Sequence, residues 1–523
     1  MGLGLVLAAI PLAPALAVEV KTPVLAWGNC PPAAPGAAST SAFQCAEAVV
    51  PIDYEHPGDG SFHLALIRHP AERPADRIGT LFWNPGGPGD AGTQYLPAGI
   101  DRFPAELRAR FDILSWDPRG MGGRTTPAVQ CFDSAAAEAQ FLAAQPETGL
   151  SDDRQSIASV FSQRAALNAA CVAHGGGLLA HVSTADNARD LDLLRRALGE
   201  ERISYYGTSY GTFLGATYIN MFPQHVRATV LDGGVAPSAW MGNAGEDLSL
   251  STFVRLGSDF GAAVTLDAFL TACGEAPAKD CAFSAGSPQA THAKWQALLT
   301  RADAGGVSLD GETLRGSAIA SDVMSSLYLV EPLPGFGRFP GYRAVAEMLQ
   351  GLWTAPPGAA APAKPDETLP AAGSPAPYAT SAGRQPAVIC GESPNPGSVA
   401  EAVAQAEESF HRAGVTPWPF GASCVGWTAR AAQPYRGPWN RLQKQPVLVI
   451  ASSFDPATAF GSSARLAQEL GNARLLPVLG FGHTVLFNPD RCAQDYVADY
   501  LTSLKLPPTG AACQDDHSPF EGG

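Results

Sequence analysis

The chain has 523 residues, 46% of them apolar and 16% charged, with a formal net charge of −15. This is the composition of a globular protein long enough for two or three domains, and it argues against a disordered chain. The acidic balance argues against nucleic acid, which calls for a basic face, and against anionic membrane surfaces; it reads as a solvated acidic surface and carries no information on substrate charge.

Met1 to Ala17 form an apolar Leu/Ala run ending in Ala15-Leu16-Ala17, an A-x-A cleavage signal. The expectation is a signal peptide cut after Ala17 and a secreted or periplasmic protein with no stable membrane anchor. No Lys or Arg precedes Lys21, so the usual positive start is missing, while Pro11 and Pro14 interrupt the run and argue against a membrane span. Residues 46–53 and 62–69 read as strands joined by a Pro/Gly turn, a hairpin. The short apolar runs 79–84 and 111–116 read as further strands, with a turn and helix over 98–110 between them. Residues 154–173 and 184–198 read as helices; in the second, Ala188, Leu191, Leu194, Ala197 and Leu198 share a face. A strand leads into Ser209, a helix runs to Phe222, and 228–232 is another strand. Such alternation predicts a mostly parallel sheet with helices on both faces.

The alternation stops near residue 236. Residues 240–353 are mainly helical by periodicity, and 354–386 is an Ala/Pro-rich stretch with the composition of a linker. Strand patterns return at 446–451 and 473–479, with a final helix over 489–503. The expected organisation is therefore a core in two pieces, 18–235 and 441–523, interrupted by a lid-sized, mainly helical insertion over 236–440.

Gly207-Thr208-Ser209-Tyr210-Gly211 is a G-x-S-x-G pattern between a strand and a helix, the context of a nucleophile elbow. A serine hydroxyl is a weak nucleophile at neutral pH and needs a base that is itself oriented by a carboxylate. Two later strands end in candidates: Asp455 in Phe454-Asp455-Pro456, and His483 in Gly482-His483-Thr484. Their order, Ser then Asp then His, is that of the α/β-hydrolase triad. Asp232, after its own strand, is the alternative acid, and Asp455 before proline could simply cap a helix. Oxyanion donors are expected from the backbone amides of Tyr210 and of Gly87, in the glycine-rich loop 84–92.

The ten cysteines are Cys30, Cys45, Cys131, Cys171, Cys273, Cys281, Cys390, Cys424, Cys492 and Cys513. None forms a C-x-x-C pair, so zinc spacing is absent, and an even set in an exported chain points to disulfides. Connectivity cannot be deduced from sequence; neighbour-to-neighbour pairing, closing five local loops, is the expectation.

Together these motifs resemble the secreted tripeptidyl aminopeptidases and proline iminopeptidase relatives of the α/β-hydrolase superfamily. The matching pieces are Asn84-Pro-Gly-Gly-Pro-Gly89, Asp117-Pro-Arg-Gly-Met-Gly122, Gly207-Thr-Ser-Tyr-Gly211, Leu231-Asp-Gly233, Asp455-Pro-Ala-Thr458 and Gly482-His483. Cys492 and Cys513 resemble the family's terminal cysteine pair. The resemblance implies a serine hydrolase without metal or organic cofactor, acting on free peptide N-termini. The rival enzyme class is an esterase or lipase acting on small acyl esters, and a third is a non-catalytic binding protein on the same scaffold. An aminopeptidase calls for a carboxylate near the site to receive the substrate ammonium; Glu246, Asp247, Glu331 and Glu392 are the candidates. Oligomeric state is not legible.

Overall fold

A computed structural model describes residues 20–521, apart from 34–35, 146–152, 244, 310–311, 334–338, 356–381, 415–423 and 516–517. The expected signal peptide and most of the Ala/Pro-rich stretch lie outside the described residues.

The first seven strands are β1 (Gly28–Asn29), β2 (Gln44–Pro51), β3 (Ser61–His69), β4 (Gly79–Asn84), β5 (Phe111–Trp116), β6 (Ile203–Thr208) and β7 (Val226–Asp232). Two-residue strands β8 (Ser308–Leu309) and β9 (Glu312–Thr313) form a separate hairpin. The chain then adds β10 (Val447–Phe454), β11 (Ala473–Phe481) and β12 (Cys513–Gln514). Ten strands make one sheet in the order β1-β2-β3-β5-β4-β6-β7-β10-β11-β12. β2, β3 and β5 pair antiparallel, and from β5 to β12 every pairing is parallel.

Sequence explains which strands are central. Every residue of β4 and β6 is buried, as expected where helices cover both faces. β3, near the edge, alternates buried and half-buried positions instead. Successive residues of one strand feed opposite cores: Phe82, Tyr205, Leu231 and Val449 join one apolar cluster, while Leu81, Trp83, Tyr206 and Ile450 join the other.

The turn and helix expected over 98–110 are the 3₁₀ turn Ile100–Arg102 and the helix Ala105–Arg110, preceded by a further helix, Gly92–Gly99. Pro104 heads Ala105–Arg110, where its missing N–H interrupts no helical bond. The Arg154–Gly175 helix does not serve only the sheet: its Phe161 packs with Ala402, Val403 and Ala406 of the helix Val399–Ala413.

Between β7 and β10 the described residues are mainly helical. The longest helices are Ser258–Glu275, Pro288–Asp303, Gly316–Ser326, Tyr342–Thr354 and Val399–Ala413. The first four share a core around Phe269, Trp295, Val323 and Tyr342, which Phe520 joins from the C-terminal segment. Five disulfides join neighbouring cysteines: Cys30–Cys45, Cys131–Cys171, Cys273–Cys281, Cys390–Cys424 and Cys492–Cys513. Such a set fits an oxidising compartment. No single helix among the described residues is long and apolar enough to cross a membrane.

Candidate active site

β6 ends at Thr208, and the helix Tyr210–Met221 starts two residues later. Ser209 makes the turn alone, with φ 58° and ψ −129°. A non-glycine residue seldom occupies that region; holding it there costs of order 1–3 kcal/mol and needs rigid surroundings. The surroundings are glycine-made. A side chain at Gly207 would meet the Gly211 carbonyl oxygen at 2.2 Å, and one at Gly211 would meet the Asn84 carbonyl oxygen at 2.4 Å. The elbow therefore closes only with both glycines in place. The oxyanion-loop candidates lie against it: a methyl on Gly86 would fall 2.8 Å from Ser209 Cβ and 3.1 Å from the Tyr210 nitrogen. The Gly86 N–H donates to Asn84 Oδ1 at 3.1 Å, and the Gly87 carbonyl accepts from Gln385 Nε2 at 3.2 Å.

Asp455 and His483 follow the parallel neighbours β10 and β11, which brings them together. His483 Nδ1 lies 2.9 Å from both Asp455 oxygens. Asp455 Oδ1 also accepts the Ala457 and Thr458 N–H groups, at 2.8 and 2.9 Å, and Oδ2 accepts the Thr458 hydroxyl at 2.9 Å. Asp455 is thus a turn cap and the partner of the histidine at once. Those donors fix the carboxylate, which faces Nδ1 of the histidine. Nε2 is buried and, among the described residues, forms no hydrogen bond, to Ser209 Oγ or to any other group. Thr484, next to His483, is with Ser209 one of three described non-glycine residues at positive φ.

Asp232, the alternative acid, has another position. Its carboxylate receives the Val485 and Leu486 N–H groups, at 3.0 and 2.9 Å, and the Tyr206 hydroxyl at 3.0 Å. Its backbone carbonyl receives the Ser209 N–H at 3.0 Å. One residue thereby ties the serine turn to the histidine loop without touching the imidazole nitrogens. Burial pushes its carboxyl up to about 6, against the pull of those three donors and of His483.

Of the four candidate ammonium anchors, Glu246 and Glu392 are engaged by other side chains. Glu246 pairs with Arg465. Asp247 is exposed and receives the Ser249 N–H and hydroxyl, at 3.0 and 2.6 Å. Glu331 is exposed. Glu392 is buried in a closed network: Oε1 receives the Thr184 hydroxyl at 2.6 Å and Trp240 Nε1 at 2.8 Å, and Oε2 receives the Thr184 N–H at 2.9 Å. Burial raises the Glu392 carboxyl to about 7 in spite of these donors. Sequence cannot distinguish a free carboxylate from one engaged by residues far away in the chain, and here the engagement is tertiary.

Sequence reading also missed how closely the insertion holds the site. Ser258 Oγ donates to the Ala457 carbonyl at 2.6 Å, in the Asp455 turn. Gln385 reaches the glycine-rich loop. The Tyr328 carbonyl receives the His483 N–H at 2.7 Å. Thr458 was visible in Asp455-Pro-Ala-Thr458, three residues from an acid as in a capping turn; Tyr328 left no local signal.

Residues 79–297 match the model of the alpha/beta hydrolase fold, and residues 416–513 match that of the TAP-like protein. Serine protease Hip1 of Mycobacterium tuberculosis (strain H37Rv) is 30% identical over 521 residues, covering 93% of this chain and 90% of that protein. The chain belongs to the TAP-like α/β hydrolases. The tripeptidyl aminopeptidase of Streptomyces lividans is 36% identical over 204 residues, 38% of this TAP-like chain and 36% of its own length. Carboxylesterase B of M. tuberculosis (strain H37Rv) is 28% identical over 534 residues, covering 98% and 95% of the two chains. This TAP-like protein is a serine hydrolase, with a strained serine at the elbow after β6 and a histidine–carboxylate pair after β10 and β11.

Proposed function

We propose that the protein is an exported serine peptidase that releases short peptides or single residues from free peptide N-termini. Ser209 Oγ attacks the carbonyl. His483 Nε2 takes the proton and returns it to the leaving amine. Asp455 holds Nδ1, and the Tyr210 and Gly87 amides receive the oxyanion. The observation that carries the reading is the buried Asp455–His483 pair, whose Nε2 has no partner among the described residues, together with a serine in the strained elbow conformation at the end of β6. Gly87 is the choice for the second amide because Gly86 is engaged by Asn84. We assign 236–440 as a lid-like insertion between core segments 18–235 and 441–523. The five disulfides and the N-terminal apolar run support export.

Peptide substrates are supported by the near full-length relation to a serine protease, and the aminopeptidase mode by the tripeptidyl aminopeptidase match. A second reading, hydrolysis of small acyl esters, is favoured by the relative named carboxylesterase B. The same triad serves both. A substrate panel separates them. Free-amine aminoacyl and tripeptidyl reporters should exceed their N-acetylated counterparts by at least about tenfold in kcat/KM, a difference of about 1.4 kcal/mol. Equal rates on free and blocked peptides, or short acyl esters far better than either, would replace the aminopeptidase reading with the esterase one.

A further inference from the structure

His483 has to keep Nδ1 on Asp455 while Nε2 serves the serine. A hydrogen bond through one ring nitrogen fixes a point on the ring, not its plane. The plane is held from the insertion. The Tyr328 ring stands against the imidazole with centroids 5.1 Å apart and planes at 72°. The same residue's carbonyl receives the His483 N–H at 2.7 Å and the Asn488 side-chain amide at 3.1 Å. Asn488 returns to the histidine loop, donating to the His483 carbonyl at 2.9 Å, and its Oδ1 receives the Val330 N–H at 2.8 Å. Behind Tyr328 stands Phe339, stacked at 5.1 Å with planes 17° apart. Backbone and ring of one insertion residue thus grip the main chain and the side chain of the same histidine.

We propose that Tyr328 is a positioning residue for the general base: its ring, backed by Phe339, holds the His483 imidazole in the plane that presents Nε2 to Ser209. The inference rests on the Ser209–His483 reading above. The insertion then does more than restrict access, because part of the catalytic geometry is built from it. Proton transfer is sensitive to such placement, and a misplacement of about 1 Å can cost on the order of 100-fold in rate.

The test compares four variants at Tyr328 and Phe339, with a fifth at His483 as control, on a short p-nitrophenyl acyl ester and a free-amine peptide reporter, with denaturation midpoints measured alongside. Tyr328→Phe keeps the ring and should hold kcat within about twofold of the parent, while Tyr328→Ala should lose about tenfold or more in kcat with KM nearly unchanged. Phe339→Ala should lose less, in the same direction. Tyr328→Leu keeps the backbone bond and much of the apolar volume; it should lose kcat like Tyr328→Ala and stands in for it if that variant does not fold. An unchanged kcat without the ring overturns the proposal. So does a raised KM at constant kcat, which would make Tyr328 a substrate contact, or a Phe variant as impaired as the Ala one. His483→Gln is the control for the reading beneath: if it stays active, the triad assignment is wrong whatever Tyr328 does.

Discussion

Asp232 and Asp455 stand at the ends of paired parallel strands, and their partners assign them different work. Asp455 faces the imidazole; Asp232 faces two backbone amides and a phenol. Asp455→Asn should lower turnover by about 10³–10⁴ with the fold intact, because the amide no longer holds the imidazole in the working tautomer. Asp232→Asn places an NH₂ among donors and should chiefly cost stability, about 1–3 kcal/mol. Turnover measured beside thermal denaturation checks both, and a large loss of turnover in Asp232→Asn alone would exchange the roles. Glu392 supplies a pH prediction. Its carboxyl is raised from an ordinary 4.5 to about 7, so between those values the folded state keeps a proton that the unfolded state has released. Its contribution to stability therefore falls as pH rises through that window, and Asp232 adds a slope of the same sign between 3.8 and about 6. Glu392→Gln should flatten the decline of Tm from pH 5 to 7; an unchanged slope would show that this carboxyl does not titrate there.

At the scale of elements, the elbow is the most constrained piece. Gly207→Ala brings a methyl within 2.2 Å of the Gly211 carbonyl, where only backbone can yield. The expected loss is at least about 1–3 kcal/mol, read as a lowered Tm or poor soluble yield; a variant as stable as the parent would contradict the packing described. The elbow was legible in sequence because its chemistry is local: strand, glycine, serine, glycine, helix. The order Ser209, Asp455, His483 was legible for the same reason, each residue following its own strand signal. The choice between Asp455 and Asp232 was open, since both follow strands and only sheet order and side-chain direction separate them. The engagement of Glu246 and Glu392 was not legible because their partners, Arg465 and Thr184, are hundreds of positions away in the chain. Tyr328 was invisible for the same cause. The turn and helix expected over 98–110 were legible because their signals are local, and both are present as Ile100–Arg102 and Ala105–Arg110.

In the molecule as a whole, the sheet, the insertion and the C-terminal segment converge on one set of loops. The sheet places Ser209, Asp455 and His483 at the carboxyl ends of β6, β10 and β11, where open α/β sheets carry their sites. The insertion reaches all the supporting loops, through Ser258 to the acid turn, Tyr328 to the base and Gln385 to the glycine-rich loop. Disulfides join cysteines in the hairpin region, the insertion and the final helix alike. At the centre of this arrangement stands Ser209, the proposed nucleophile. The most direct measurement is labelling of the intact protein with a fluorophosphonate, the modified residue being located by peptide mass spectrometry. A single adduct on Ser209 is expected, and in Ser209→Ala no adduct and turnover lowered by about 10³ or more with an unchanged denaturation midpoint. An adduct on another serine, or a Ser209→Ala protein that still turns over substrate at the parent rate, would contradict that assignment.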